Sequence, residues 1–214
     1  MSYVDLTNLK TTARLEDIYK LIDTAVEQKC ASVCIQPCNV RDAYIYSAGR
    51  INICTVIGFP NGYNTTSCKV FEAEEAIKNG ASEIDMVINL NYVKDERWAD
   101  LEKEIAILSD LCHRHGAILK VIIETCSLTD DEIVKMSQIV TSANADYIKT
   151  STGFGSEGAT VKNVMLMRDN IGPDVLIKAA GGIRTTDSAK SMIEAGASRI
   201  GASGIKFSSP TEKF

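Results

Sequence analysis

Two short runs, "YIKTSTGFG" (Tyr147 to Gly155) and "VLIKAAGG" (Val175 to Gly182), read as buried β-strands, yet each carries a lysine at its centre, Lys149 and Lys178. Lys120 in "ILKVIIE" and Asp85 in "EIDMVIN" interrupt two further apolar runs in the same way. A single buried lysine is often accounted for by snorkelling or by a structural ion pair. Four charged residues in four separate strands ask for a chemical reason. If Lys149 and Lys178 lie on neighbouring strands about 4.8 Å apart and both point inward, like charge and desolvation disfavour the ammonium form. One amine is then drawn from the ordinary lysine value of about 10.4 toward neutrality. A neutral amine attacks an aldehyde or ketone to give a carbinolamine and then a Schiff base, whose cationic nitrogen withdraws electrons from the adjacent carbon. Asp85, expected in the carboxyl half of its strand, is placed to relay protons through water, with Lys178 keeping it ionised.

Beside these lysines the sequence offers an anion site. "GGIR", with Gly181, Gly182 and Arg184, follows the Lys178 run, and "GASG", with Gly201 and Ser203, ends the last apolar run. Gly153 adds a third glycine-bearing turn directly after the Lys149 run. Loop amides and a short helix N-terminus at such positions hold phosphate in parallel barrels.

The elements that must position these groups alternate along the chain. Apolar runs at "YVDL", "SVCIQP", "NICTVIGFP", "EIDMVIN", "AILKVIIET", "DYIKTST", "DVLIKAAGG" and "RIGAS" are separated by helical patterns. Leu15, Ile18, Leu21, Ile22, Ala25 and Val26 follow helical spacing, and Thr129 with Glu132 has the form of a capping box. Four segments, "NGASEIDMV", "HGAILKVII", "ANADYIKTS" and "AGASRIGAS", place Gly or Asn and then Ala before a strand, the mark of a helix ending at a left-handed residue. Eight strands with interleaved helices predict an α/β fold, a (β/α)8 TIM barrel, filling residues 1–214 as one domain. An open doubly wound sheet is the alternative, but no GxGxxG follows the first strand. In a parallel barrel covered on both faces, the strands should be almost wholly apolar.

Composition narrows the functional class. The chain has 214 residues, 45% hydrophobic and 24% charged, and a net charge of −5 without a basic stripe, which argues against a nucleic-acid partner. Seven cysteines, an odd number, favour a reducing compartment. Cys30, Cys34 and Cys38 lack a C-x-x-C pair, and both histidines lie elsewhere in "LCHRHG", so neither a metal nor a cofactor is expected. No run approaches a membrane span and no apolar leader opens the chain, so a cytoplasmic protein is expected.

The motifs "DLTNLK", "ASVCIQP", "TVIGFPNG", "FEAEEAIKNGASEIDMVIN", "LKVIIET", "ADYIKTSTGF", "KAAGGIRT" and "RIGAS" resemble, in order and over nearly the whole chain, those of the deoxyribose-phosphate aldolase family. The resemblance implies a metal-free class I aldolase that reversibly cleaves 2-deoxy-D-ribose 5-phosphate to D-glyceraldehyde 3-phosphate and acetaldehyde. It assigns the Schiff-base lysine to Lys149, the relay lysine to Lys178 and the relay aspartate to Asp85, and it puts Asp5, Thr7 and Cys34 in the substrate pocket. Two features depart from the family pattern. "GASG" stands where many relatives have "GTSSG", so Gly204 supplies no hydroxyl, and "IKFSSPTEKF" leaves little room for a last helix or a C-terminal tyrosine. Another Schiff-base lyase, or a non-catalytic barrel that binds phosphorylated sugars, is the competing function. The partner expected is a small phosphorylated sugar, and the outward helical faces are compatible with a homodimer.

Overall fold

The computed structural model describes residues 1–205. Eight parallel strands pair in chain order and close on themselves: β1 (Val4–Asn8), β2 (Ser32–Ile35), β3 (Asn52–Ile57), β4 (Glu83–Val87), β5 (Ile118–Ile122), β6 (Tyr147–Lys149), β7 (Leu176–Ala180) and β8 (Arg199–Ala202). Closure is made by β8 against β1, with Val4, Asp5 and Leu6 in register with Ile200, Gly201 and Ala202. The architecture is the (β/α)8 barrel, not the open sheet. The helices between the strands are α1 (Leu15–Glu27), α2 (Val40–Ser47), α3 (Thr66–Lys78), α4 (Leu90–Lys94), α5 (Trp98–Arg114), α6 (Asp130–Ser142), α7 (Val161–Arg168) and α8 (Thr186–Ala195). Both α4 and α5 belong to the single crossing from β4 to β5. Residues 206–214 lie outside the described residues, and with them the question of a last helix or closing tail.

Local signals act where the sequence puts them. In α1, Ile18, Ile22 and Ala25 form the buried stripe. Thr129 caps α6 through the amide of Glu132, whose carboxylate accepts the Thr129 amide at 2.7 Å. The repeated junction is a positive-φ residue followed by an alanine whose amide reaches five residues back. Gly80, Gly116, Asn144 and Gly196 all have positive φ. The amides of Ala81, Ala117, Ala145 and Ala197 donate to the carbonyls of Ala76, Cys112, Val140 and Met192. These bonds satisfy orphan carbonyls at each helix end and aim the chain into the next strand. A fifth copy stands at Lys29 (φ 54), where the amide of Cys30 donates to Ala25 at 2.8 Å.

Strand residues alternate strictly between two environments. Val4, Leu6, Ile84, Met86, Leu119, Val121, Ile148, Ile177, Ala179 and Ile200 join the buried apolar shell shared with the helices. Their alternates Asp5, Glu83, Asp85, Lys120, Lys149, Lys178 and Arg199 bond to one another inside the barrel. The expectation of almost wholly apolar strands is therefore corrected. One face of the barrel wall is apolar and the other is polar, because the interior charges satisfy one another there. Only Cys34, Cys54 and Val56, backed by Leu9 and Phe59, form a small apolar cluster of their own.

Candidate active site

Lys149 and Lys178 are register partners on β6 and β7, and both amines reach Asp85 on β4. Lys149 Nζ and Lys178 Nζ each donate to Asp85 Oδ2 at 2.7 Å. Asp85 stands at the centre of its strand, not in the carboxyl half, and its other oxygen accepts from Lys120 Nζ at 2.8 Å. Below this cluster, toward the N-terminal ends of the strands, Lys120 Nζ meets Glu83 at 2.7 Å and Arg199 Nη1 meets Glu83 at 3.2 Å and Asp5 at 2.6 Å. Asp5 Oδ2 lies 2.6 Å from Lys178 Nζ. Ser32 donates to Asp5 Oδ1 at 2.8 Å, and the Cys54 thiol donates to Asp85 Oδ1 at 3.2 Å.

Burial alone would neutralise these groups, but their neighbours outweigh it. Desolvation pushes the Asp85 carboxyl up, yet Lys120, Lys149 and Lys178 together hold it well below the usual carboxylate range. Asp5 is lowered in the same way by Lys178, Lys120 and Arg199. Desolvation opposes the Lys178 charge, and Asp5 with Asp85 overcomes it, so its ammonium form is favoured beyond the ordinary lysine value. Lys120 is raised likewise against its burial, by Asp85 and Glu83 among others. Asp85 is thus a permanent acceptor that fixes two amines at one point.

Above the cluster opens a cleft of about 430 Å³ at the C-terminal ends of the strands. Lys149 is the one member of the charged cluster on its lining, and Thr7, Gly153, Gly181, Gly182, Arg184, Gly201 and Ser203 line it as well. The structure brings these sequence-identified positions together around the amine. Asp5 and Cys34 do not line the cleft. Both are fully buried, because Asp5 is drawn down to Lys178 and Arg199, while Cys34 faces its register partner Cys54. Phe154 also lines the cleft and packs edge-on against Phe59 at 5.4 Å.

The segment that follows Lys149 is held from both sides. Thr150 Oγ1 donates to the Ala180 carbonyl and accepts the Ala180 amide, each at 3.1 Å. On the other side Thr152 donates through its hydroxyl and its amide to the carboxylate of Glu124, and the Phe154 amide donates to Thr152 Oγ1 at 3.0 Å. Glu124 is buried and adopts a left-handed conformation (φ 51), uncommon for a residue other than glycine. Gly158 packs so closely on the Gly181 carbonyl that a Cβ there would approach to 2.1 Å, which is why glycine is required where these two loops meet.

Two sets of potential metal ligands occur among the described residues: Cys34, Cys54 and Asp85, and Asp5, Cys54 and Glu83. Both surround Lys120 or its neighbours, whose ammonium charges oppose a divalent cation. Among the described residues no helix is long and apolar enough to cross a membrane.

Sequence reasoning missed Glu83, Arg199, Glu124 and Thr152 as parts of the site. A signal was available for two of them: Glu83 stands two positions before Asp85, and Arg199 opens the final strand, so both share the parity of the inward-facing lysines. Glu124 lies in a loop, where no periodicity marks it.

Comparison with known proteins agrees with this fold. The DeoC/LacD family aldolase model matches residues 1–207. The chain is similar to a deoxyribose-phosphate aldolase from Clostridioides difficile (strain 630), 50% identical over 202 residues, 94% of this chain and 91% of that protein. A crystal structure of a putative deoxyribose-phosphate aldolase from Coccidioides immitis superposes with a TM-score of 0.90 at 41% identity, over 94% of this chain and 81% of that one. A deoxyribose phosphate aldolase from Aeropyrum pernix, described as having a unique tetrameric structure, gives 0.89 at 29% identity over 94% and 86%. With the closed barrel, its inward lysines and a match over nearly its whole length, the chain belongs to the DeoC/LacD family of aldolases.

Proposed function

We propose that this protein is a deoxyribose-phosphate aldolase that cleaves 2-deoxy-D-ribose 5-phosphate through a Schiff base on Lys149. The observation that carries the assignment of the nucleophile is that Lys149 alone among the interior cations lines the cleft. Its amine attacks the substrate aldehyde carbon, and the carbinolamine loses water to give an iminium. Loss of the proton from the C3 hydroxyl then breaks the C2–C3 bond, releasing glyceraldehyde 3-phosphate and leaving the electron pair on C2 as an enamine. Protonation at C2 and hydrolysis return acetaldehyde and the free amine. Asp85 serves this sequence as the fixed acceptor against which the amine turns, and Lys178 is the neighbouring proton carrier, an arrangement supported by the shared oxygen at 2.7 Å from both lysines.

The phosphate is assigned to the rim formed by Gly181, Gly182, Arg184, Gly201 and Ser203, with Gly153 across from it. Gly204 has no hydroxyl to add, so Ser203 and main-chain amides carry that side. The whole of residues 1–214 is read as one catalytic domain, working in the cytoplasm without nucleic acid. A homodimer is consistent with the exposed apolar side chains of Tyr44, Ile45 and Phe71, and light scattering would count the subunits.

The test is a coupled assay following glyceraldehyde 3-phosphate from 2-deoxyribose 5-phosphate, combined with borohydride reduction in the presence of acetaldehyde. The expected result is turnover, together with a mass increment that maps to Lys149 and is absent from Lys149→Ala. A label on Lys120 or Lys178 would overturn the nucleophile, and no label at all would leave a sugar-phosphate binding protein.

A further inference from the structure

The charged side chains beneath Lys149 form a closed ring. Its members alternate in sign: Asp85, Lys120, Glu83, Arg199, Asp5, Lys178 and back to Asp85, with contacts of 2.8, 2.7, 3.2, 2.6, 2.6 and 2.7 Å in turn. Three carboxylates face three cations, so the ring is neutral as a unit. Lys149 is attached to it through Asp85 Oδ2 alone, an oxygen already engaged by Lys178. Its positive charge is therefore the surplus charge of the whole array.

We propose that Glu83, Lys120 and Arg199, none of which lines the cleft, are positioning residues that set how readily the Lys149 amine becomes free to react, through the charge balance of this ring. The inference rests on the Schiff-base reading above. Among the described residues, the charged or titratable groups that face the array from the strands are Asp5 from β1, Cys34 from β2, Cys54 from β3, Glu83 and Asp85 from β4, Lys120 from β5, Tyr147 from β6, Lys178 from β7 and Arg199 from β8, with Cys30 near Asp5 and Cys112 near Lys120 behind them. The Tyr147 hydroxyl accepts from Arg199 Nη2 at 3.4 Å, and the Cys54 thiol donates to Asp85 Oδ1 at 3.2 Å, so both attach to the ring as hydrogen-bonding groups. The balance thus lies with the carboxylates, the lysines and Arg199. Water is excluded, since Asp5, Asp85 and Lys120 have no exposed surface. Charges in such surroundings act over the width of the barrel with little screening.

The sign of each substitution follows. Glu83→Gln removes a negative charge, leaves the ring positive, and disfavours a further proton on Lys149. Lys120→Gln and Arg199→Gln remove a positive charge, leave the ring negative, and favour that proton. All three introduce the same neutral amide, so differences between them report charge and not side-chain polarity.

The experiment is the yield of borohydride-trapped acetaldehyde adduct on Lys149 against pH, read by peptide mass spectrometry in the full chain. The half-maximal pH should fall for Glu83→Gln and rise for Lys120→Gln and Arg199→Gln, each by roughly half a unit or more. It should return toward the parent value in the double variant Glu83→Gln/Lys120→Gln. Arg199→Lys, which keeps the charge, should keep the parent profile, and circular dichroism identifies any variant that does not fold. If Lys120→Gln fails to fold, the opposed shifts of Glu83→Gln and Arg199→Gln still decide the matter, the Arg199 side chain being 12% exposed. Shifts of one sign, or none, in a protein that traps acetaldehyde would overturn the ring while leaving the Schiff base intact. A parent that traps nothing would overturn the Schiff base itself.

Discussion

Lys149 and Lys178 are register partners on adjacent strands, yet they meet through a single oxygen, Asp85 Oδ2, 2.7 Å from each amine. Direct repulsion between two lysines, the simplest expectation from their spacing, is thereby interrupted by a carboxylate. Replacing Lys178 with Met removes one cation from the pair and leaves the carboxylate serving Lys149 more fully, which favours the ammonium form of the nucleophile. Acetaldehyde trapping by Lys178→Met should need a more alkaline pH than in the parent, with turnover almost lost under the proposed mechanism, in which Lys178 carries the proton. An unchanged trapping profile would confine Lys178 to proton transfer or substrate binding.

Glu124 and Thr152 hold the wall of the cleft beside Lys149. Glu124→Ala leaves two Thr152 donors without an acceptor, a loss of about 1–3 kcal/mol for a buried group. Thermal denaturation should register that loss. The larger effect is expected in KM for the phosphorylated substrate, because Thr152, Gly153 and Phe154 line the cleft while Lys149 is untouched. Thr152→Ser, which retains the hydroxyl, should restore most of what Thr152→Val loses.

The phosphate rim predicts a difference between substrates. Dephosphorylated 2-deoxyribose should react far more slowly than the 5-phosphate, since remote binding energy positions the reacting carbon. Ser203→Asp adds like charge at the rim and should lower kcat/KM for the phosphorylated sugar by at least about tenfold while sparing the other. Equal kcat/KM values for the two sugars would remove the assignment.

Acid should weaken the fold through the buried carboxylates. Asp5 and Asp85 have folded values below the unfolded reference, so their contribution is complete above the ordinary carboxylate range and is lost as pH falls from about 5 downward. Each proton taken up on unfolding in excess of the native state gives a slope of about 1.4 kcal/mol per pH unit. Lys178 has the opposite sign: its folded value is raised, so its contribution is present below about pH 10 and fades only above that. Urea unfolding between pH 3 and 8 should show a steep loss on the acid side and a plateau near neutrality.

Much of the barrel was legible because each strand is short, apolar on alternate positions and preceded by a helix stop. The stop at Lys29 escaped notice because lysine there takes the left-handed conformation that glycine or asparagine takes at the other four junctions. The three lysines and Asp85 stood out against apolar neighbours. Their partners did not: Asp5 and Cys34 entered only through the family resemblance, as pocket residues, and the direction of each side chain sets it beneath the cleft. Glu83 and Arg199 sit at strand starts, where charged residues are ordinary, so their burial depends on tilt and closure that a linear pattern does not contain.

Arg199 joins β8 to Asp5 and Glu83, residues 194 and 116 positions earlier in the chain. In a nascent or truncated chain that lacks its eighth strand, Asp5 keeps Lys178 and Glu83 keeps Lys120 as partners, but the guanidinium that links the two pairs is missing. Docking of the last strand therefore completes hydrogen bonding at the seam and closes the ring of interior charges in one step. That coupling ties closure of the barrel to the charges that surround Lys149.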